Sequence, residues 1–197
     1  MQREAFNEGY FRRFYEKSST RVHGKREIAR LARGVTGLIA WLGGDLRSVL
    51  DVGAGVGLWR DWLMRHRPEV RYRSIDVSTY ACARYGHEQA DISDFRADER
   101  FDLVVCQGVL PYLGDDACAR AIDNLGAMAR GFVYLESITT RDLEEACDLD
   151  ATDVAVQART GEWYRKELGR HFLTVGCGLY YAREGGIRFY ELEVQGP

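Results

Sequence analysis

The sequence predicts an α/β fold: a doubly wound, mostly parallel sheet covered by helices on both faces, with helices at the N-terminus and an antiparallel hairpin at the C-terminus. Three features of the 197 residues carry this expectation. From Ser48 onward, short apolar runs alternate with helical stretches, as in sheets buried on both sides. A glycine-rich turn joins the first of those runs to a helix. Two strand-like runs near the end are separated only by Arg183-Glu184-Gly185-Gly186, too short a connection for a parallel crossover.

The elements follow in order. Residues 3–17 are predicted helical and carry Phe6, Tyr10, Phe11, Phe14 and Tyr15. Over 22–42, Ile28, Leu31, Val35, Leu38 and Leu42 recur at helical spacing, and Gly43-Gly44 ends the helix. Ser48–Val52 reads as a buried strand, Leu58–His66 as a helix and 70–75 as a second strand. Ser78 is placed to cap a short helix reaching about Tyr85. A brief strand at 89–92 precedes strand 101–106, helix 115–130 and strand 132–136. Helix 161–169 then leads to the hairpin, predicted from runs 172–182 and 187–194. No repeat or linker divides the chain, so one domain is expected over 1–197.

A net charge of −3 favours neither nucleic acid nor a membrane as partner. Residues 1–47 hold ten Lys/Arg against five Asp/Glu, readable as a solvated helix surface or as a face toward an acidic partner. No apolar run approaches the ~20 residues of a membrane span. The charged N-terminal residues lack the apolar core of a signal peptide, and a cytoplasmic protein is expected. The five cysteines and four histidines are scattered without metal-ligand or redox spacing, so neither a disulfide framework nor a metal is expected.

The chemistry begins at Asp51-Val52-Gly53-Ala54-Gly55-Val56-Gly57, which leaves the first strand and opens a helix. Glycines let the backbone turn sharply and let a ligand approach where a Cβ would collide. The amides that follow suit a negative or strongly polar group. Asp76 ends the second strand, where doubly wound folds place an acid that accepts hydrogen bonds from ribose hydroxyls. A helix N-terminal carboxylate is the alternative reading. Loop and acid together point to a nucleoside-containing ligand. The dinucleotide fingerprint G-x-G-x-x-G would need glycine at the position of Leu58, which disfavours a nicotinamide-dependent oxidoreductase.

The segment SVLDVGAGVG resembles motif I of class I S-adenosylmethionine-dependent methyltransferases, and IDVS resembles their second motif. Gln89-Ala90-Asp91-Ile92 is similar to their third-strand segment, and FDLVVCQGVLPYL to their fourth-strand motif. The resemblance spans 48–136 and runs more loosely through the closing hairpin. It implies three layers around seven strands with one antiparallel, S-adenosylmethionine as cofactor, and methyl transfer as the activity. It divides the chain into a helical lid or cap (1–45), a cofactor-binding core (46–136), an acceptor-side insertion and helix (137–170) and the hairpin (171–197). Under it Gly53, Ala54, Gly55 and Gly57 flank the methionine part, while Asp51 supports the loop or orients the cofactor's amino group. Asp76 and Val77 would hold the ribose, Asp91 and Ile92 the adenine, and Gln107 and Gly108 the methionyl side. Tyr10, Phe14, Tyr15 and Arg21 are candidates for an aromatic lid, with Arg21 pairing the cofactor's carboxylate. Simple packing of that stripe against the sheet's helices is the alternative.

Methyl transfer from a sulfonium is a direct displacement, so alignment supplies much of the rate. A base is needed only where the acceptor must lose a proton. Acceptor-side residues are expected at the carboxyl ends of the strands, at Gln107, Tyr112 and Glu136, and in the stretch that follows. The insertion 137–160 carries Arg141, Asp142, Asp148, Asp150, Asp153 and Arg159, and Trp163-Tyr164 comes next. It is expected to shape the acceptor pocket or to form a dimer contact. Tyr112, Glu136 and Tyr164 are the candidate catalytic residues, Glu136 or Tyr164 as base, with a structural role the alternative. Gln107-Gly108-Val109-Leu110 stands where enzymes that methylate base amines or glutamine carry N/D-P-P-Y/F, so the resemblance implies a small-molecule acceptor with an O or N nucleophile. A non-catalytic cofactor- or partner-binding domain remains the other reading.

Overall fold

Successive residues of a strand point to opposite faces, and here both faces are buried. Val49, Leu103, Val105, Phe132 and Tyr134 enter one hydrophobic layer; Leu50, Val104, Cys106, Val133 and Leu135 enter the other. This is why the strands read as continuous apolar runs. The computed structural model describes residues 5–17, 20–21, 23–149 and 151–195; Arg3 and Val22, where helices were expected to begin, and Asp150 lie outside them.

A short helix α1 (Glu8–Phe11) runs into a π-helical turn (Arg12–Glu16), and α2 (Lys25–Trp41) follows. Then come β1 (Ser48–Val52), α3 (Leu58–His66), β2 (Arg71–Asp76), α4 (Thr79–Tyr85), β3 (Glu88–Gln89) and β4 (Phe101–Gln107). A 3₁₀ turn (Leu110–Tyr112) leads to α5 (Asp115–Met128), β5 (Ala129–Glu136), α6 (Thr140–Glu145), α7 (Gly161–Leu168), β6 (Phe172–Gly176) and β7 (Leu179–Ala182). The seven strands lie in the order β3-β2-β1-β4-β5-β7-β6, and β7 alone runs opposite to the other six. Helices α2 and α3 bury Ile28, Ile39, Trp59 and Leu63 against one face; α5 and α7 bury Ile122, Leu125 and Leu168 against the other.

The hairpin differs from its expected position. Both of its strands lie inside the run 172–182, and the turn is Gly176-Cys177-Gly178, with φ of 128°, 51° and 76°. Three consecutive left-handed residues reverse the chain in a space that the apolar pattern disguised as one strand. Residues 187–194, expected as a strand, form none; Tyr190 and Leu192 are exposed, and a lone bridge ties Gln195 to Thr174.

The sheet register sets the site. Val52 pairs with Ile75 and with Cys106, and Gln107 pairs with Glu136, so the carboxyl ends of β1, β2, β4 and β5 finish at one level. Between β1 and β4 the winding reverses, and the crevice there is where doubly wound sheets take their ligands.

Candidate active site

The loop leaving β1 is held open by its own backbone. Gly53, Gly55 and Gly57 adopt φ of 68°, 55° and 74°, and the amides of Gly53 and Ala54 both donate to the Ile75 carbonyl. A Cβ on Gly53 would stand 2.3 Å from Val109 Cγ2, so no larger residue fits there. The Asp76 carboxylate, 5% exposed, accepts from the Gly55 amide at 2.8 Å and from the Ser78 amide at 2.8 Å. Burial raises its pKa and these amides oppose the rise. One amide per oxygen leaves lone pairs for a further donor. His87 braces the loop from below, with Nε2 3.0 Å from the Gly55 carbonyl and Nδ1 2.8 Å from Ser74 Oγ.

The cleft above has two lobes. The first is walled by Asp76, Val77, Ala90 and Ile92, and the second by Asp51, Ala54, Trp59, His23, Glu136 and Asp153. Gly53, Gly55, Gln107, Gly108, Tyr10, Tyr15 and Tyr112 border both. The N-terminal helix lies over the cleft: a Cβ on Gly55 would sit 3.7 Å from a Phe11 ring carbon and 3.8 Å from one of Tyr15. Ser78 Oγ donates to the Phe6 carbonyl at 2.6 Å, fastening the residues before α1 to the start of α4.

In the second lobe Glu136 is a hub. It accepts from Tyr134 (3.2 Å) and Gln107 (3.2 Å), while His23 Nε2 lies 3.2 Å from its other oxygen. Gln107 in turn accepts from Trp59 at 3.0 Å. Burial works to raise Glu136, but the bonds from His23, Tyr134 and Gln107 outweigh it, and the carboxyl is held below its ordinary value. The hydrogen bond to Glu136 raises His23. Asp51 accepts from the Tyr72 hydroxyl at 2.6 Å; its burial pushes the carboxyl up to about 7. Across the lobe, Tyr112 donates to Asp153 at 3.0 Å and lies 2.9 Å from the Tyr10 hydroxyl. Since Tyr112 spends its proton on Asp153, Tyr10 donates to Tyr112.

Five expected site residues stand elsewhere. Tyr164 is 5% exposed and packs in the hydrophobic layer with Leu168; it does not wall the cleft, and burial raises its phenol, which suits packing and not a base. Arg21 is outside both lobes, beside Gly24 and Glu27. Gly57 is the N-cap of α3, behind the loop and under Arg60. Asp91 turns Oδ1 to the amide and hydroxyl of Ser93, and its neighbours Ala90 and Ile92 form the wall instead. Phe14 is buried beneath the Arg13 guanidinium, off the lobes. Sequence reasoning missed His23, Phe6, Phe11 and Trp59. The aromatic stripe contains Phe6 and Phe11, but nothing local distinguishes His23.

A family model described as methyltransferase domain matches residues 22–183. The chain belongs to this methyltransferase-domain family. No curated protein sequence matches it significantly. Among solved structures, the methyltransferase fold recurs in an S-adenosylmethionine-dependent methyltransferase from Clostridium acetobutylicum ATCC 824, with 15% identity, TM-score 0.62, and 79% of this chain and 91% of that one covered. The N-methyltransferase NodS from Bradyrhizobium japonicum WM9, solved with S-adenosylhomocysteine, shows 20% identity, TM-score 0.59 and coverage of 81% and 87%. Magnesium protoporphyrin IX methyltransferase from Synechocystis PCC 6803, also with S-adenosylhomocysteine, shows 17% identity, TM-score 0.60 and coverage of 91% and 94%. Some matched chains are longer, this methyltransferase spanning 63% of one and 58% of another. No helix among its described residues is long and apolar enough to cross a membrane.

Proposed function

We propose that this methyltransferase moves a methyl group from S-adenosylmethionine to an O or N nucleophile of a small-molecule acceptor by direct displacement. The observation that carries this reading is the side-chain-free glycine loop bonded to the buried Asp76 carboxylate at the wall of one lobe, with a second, acid-walled lobe beside it. The residues fit the cofactor. Asp76 has lone pairs for ribose hydroxyls, and Val77, Ala90 and Ile92 offer an apolar slot to a purine. Asp51 and the loop backbone suit the amino-acid end. When bound, S-adenosylmethionine supplies an electrophilic methyl group on a sulfonium.

The protein's own part is alignment and exclusion of water. Tyr10, Phe11 and Tyr15 cover the loop, and Gln107, fixed between Trp59 and Glu136, stands on the border of both lobes. Proximity of this kind is worth several kcal/mol in a displacement, at most about 7–11. Thermal shift with S-adenosylmethionine, S-adenosylhomocysteine, NAD and NADP tests the cofactor. At 100 times its Kd a ligand adds about 2.7 kcal/mol. A shift with the two adenosyl-sulfur ligands alone is expected, and a shift with NAD alone would replace the reading with an oxidoreductase.

A further inference from the structure

The second lobe holds a base–orienter pair to which the likeness to known methyltransferases does not point. Glu136 is fixed by Tyr134 and Gln107, and the oxygen it turns to His23 is an acceptor only, so Nε2 of the neutral ring carries the hydrogen. Nδ1 is then the basic nitrogen. This is how a carboxylate fixes the tautomer of an imidazole and stabilises its protonated form. The surroundings reinforce the charge. Asp153 adds a carboxylate to the same lobe, no Lys or Arg is among its described walls, and Trp59, Ile138 and Val156 are apolar. A phenolate or carboxylate would meet repulsion there; an ammonium on an apolar body would not.

Resting on the methyltransferase reading above, we propose that the acceptor is an amine on an apolar body and that His23, oriented by Glu136, takes the proton from its ammonium form. The ammonium gives one proton to His23, leaving a neutral amine beside the imidazolium. The nitrogen lone pair forms the N–C bond as the C–S bond breaks, and that bond's electron pair goes to sulfur. The product is a methylated ammonium, and His23 returns its proton to water. Positive charge thus arrives on nitrogen, next to Glu136 and Asp153, where the lobe stabilises it. The other charged groups about His23 are Glu27 of α2, which adds to the effect of Glu136, and Arg21, Lys25 and Arg26 on its outer side.

The test begins with the protein loaded with S-adenosylhomocysteine. If that ligand does not bind, the methyltransferase reading itself fails. With it bound, calorimetry compares 2-phenylethylamine with the matched 2-phenylethanol and phenylacetate. At least about tenfold preference for the amine is expected, as is its loss in Glu136→Gln. Equal or weaker binding of the amine, including none at all, overturns the proposal while the cofactor reading stands. A panel of aryl-alkyl amines with S-adenosylmethionine then tests the base. His23→Gln should cut kcat by about 10²–10⁴ at neutral pH while leaving amine affinity in place. It should recover at alkaline pH, where the amine is already neutral. Turnover of no amine, or a His23→Gln profile parallel to that of the unsubstituted protein, overturns it. Asp153→Asn gives a second reading of amine affinity should Glu136→Gln prove unstable.

Discussion

Tyr10 Oη lies 2.9 Å from Tyr112 Oη, joining the N-terminal helix to the 3₁₀ turn after β4, and Tyr112 donates its own proton to Asp153. One phenol thus ties the N-terminal helix to the stretch around Asp153. The rings of Phe6 and Tyr10 pack edge to face 5.0 Å apart, and Phe6 meets Tyr112 at the same distance. Tyr10→Phe removes the hydrogen bond to Tyr112 and keeps the ring packing, so a loss of about 0.5–1.5 kcal/mol is expected. Tyr112→Phe breaks both bonds and should cost more. Stopped-flow dissociation of S-adenosylhomocysteine should run faster in both variants; unchanged rates would mean that ring packing and the Ser78–Phe6 hydrogen bond hold the segment without the phenols.

The raised Asp51 carboxyl makes its own demand on pH. It keeps its proton up to about 7 in the folded protein, against an ordinary value of 3.8. The folded state therefore binds more protons than the unfolded between those values, and stability falls as pH rises through that window, levelling off above about 7. The upper bound is about 4 kcal/mol. Asp51→Asn should flatten the slope in urea titrations. An ammonium group bound beside Asp51 favours its ionised form, so S-adenosylmethionine should release a proton on binding at mildly acidic pH. Calorimetry in two buffers of different ionisation enthalpy measures that release, and none is expected from Asp51→Asn.

The His23–Glu136 pair acts with the opposite sense at each end. His23 is raised by its partner, so its contribution is fully present below 6.5 and is lost as pH rises through its folded value. Glu136 is lowered, so its contribution is present above 4.5 and lost as pH falls through its folded value. The pair supports the fold most between those limits. Denaturation midpoints from mildly acidic to alkaline pH should show His23→Gln losing the alkaline decline; a decline that persists would belong to other groups.

Arg159 is the anchor of the insertion. Its side chain is 6% exposed and donates to the carbonyls of Leu110 (3.4 Å), Leu113 (2.5 Å) and Gln157 (3.2 Å), and to Asp115 at 2.9 Å. Arg159→Met removes the donor to Leu113 and Gln157, while the Leu110 carbonyl keeps the Leu113 amide, and should cost about 2–4 kcal/mol, or about 4–16 °C in Tm. Arg159→Lys should recover little, because a single ammonium does not reproduce the planar fork. Full recovery by lysine would show that charge alone holds the insertion.

Some of these relationships are legible in the residues themselves. The alternation of Val49 with Leu50, and of Leu103 with Val104, comes from a sheet covered on both sides, and the apolar runs display it. Ser78 stands at a capping position and does accept from the Ala81 amide. The hairpin turn is hidden because Gly176-Cys177-Gly178 interrupts an otherwise apolar run without a polar signal. Tyr164 is a candidate by position, but its helix turns the ring into the layer beneath the cleft.

Taken alone, the sequence determined the β1–loop–α3 unit and the acid at the end of β2, because glycine backbone freedom, apolar periodicity and short spacings are local properties. Only the tertiary structure brought His23 to Glu136 and Tyr10 to Tyr112, partners 113 and 102 positions apart. It also withdrew Tyr164, Arg21 and Asp91 from the cleft. The physical reason is that convergence of distant side chains depends on strand register, the seating of the N-terminal helix and the packing of each layer, none of which leaves a local mark on the residues concerned.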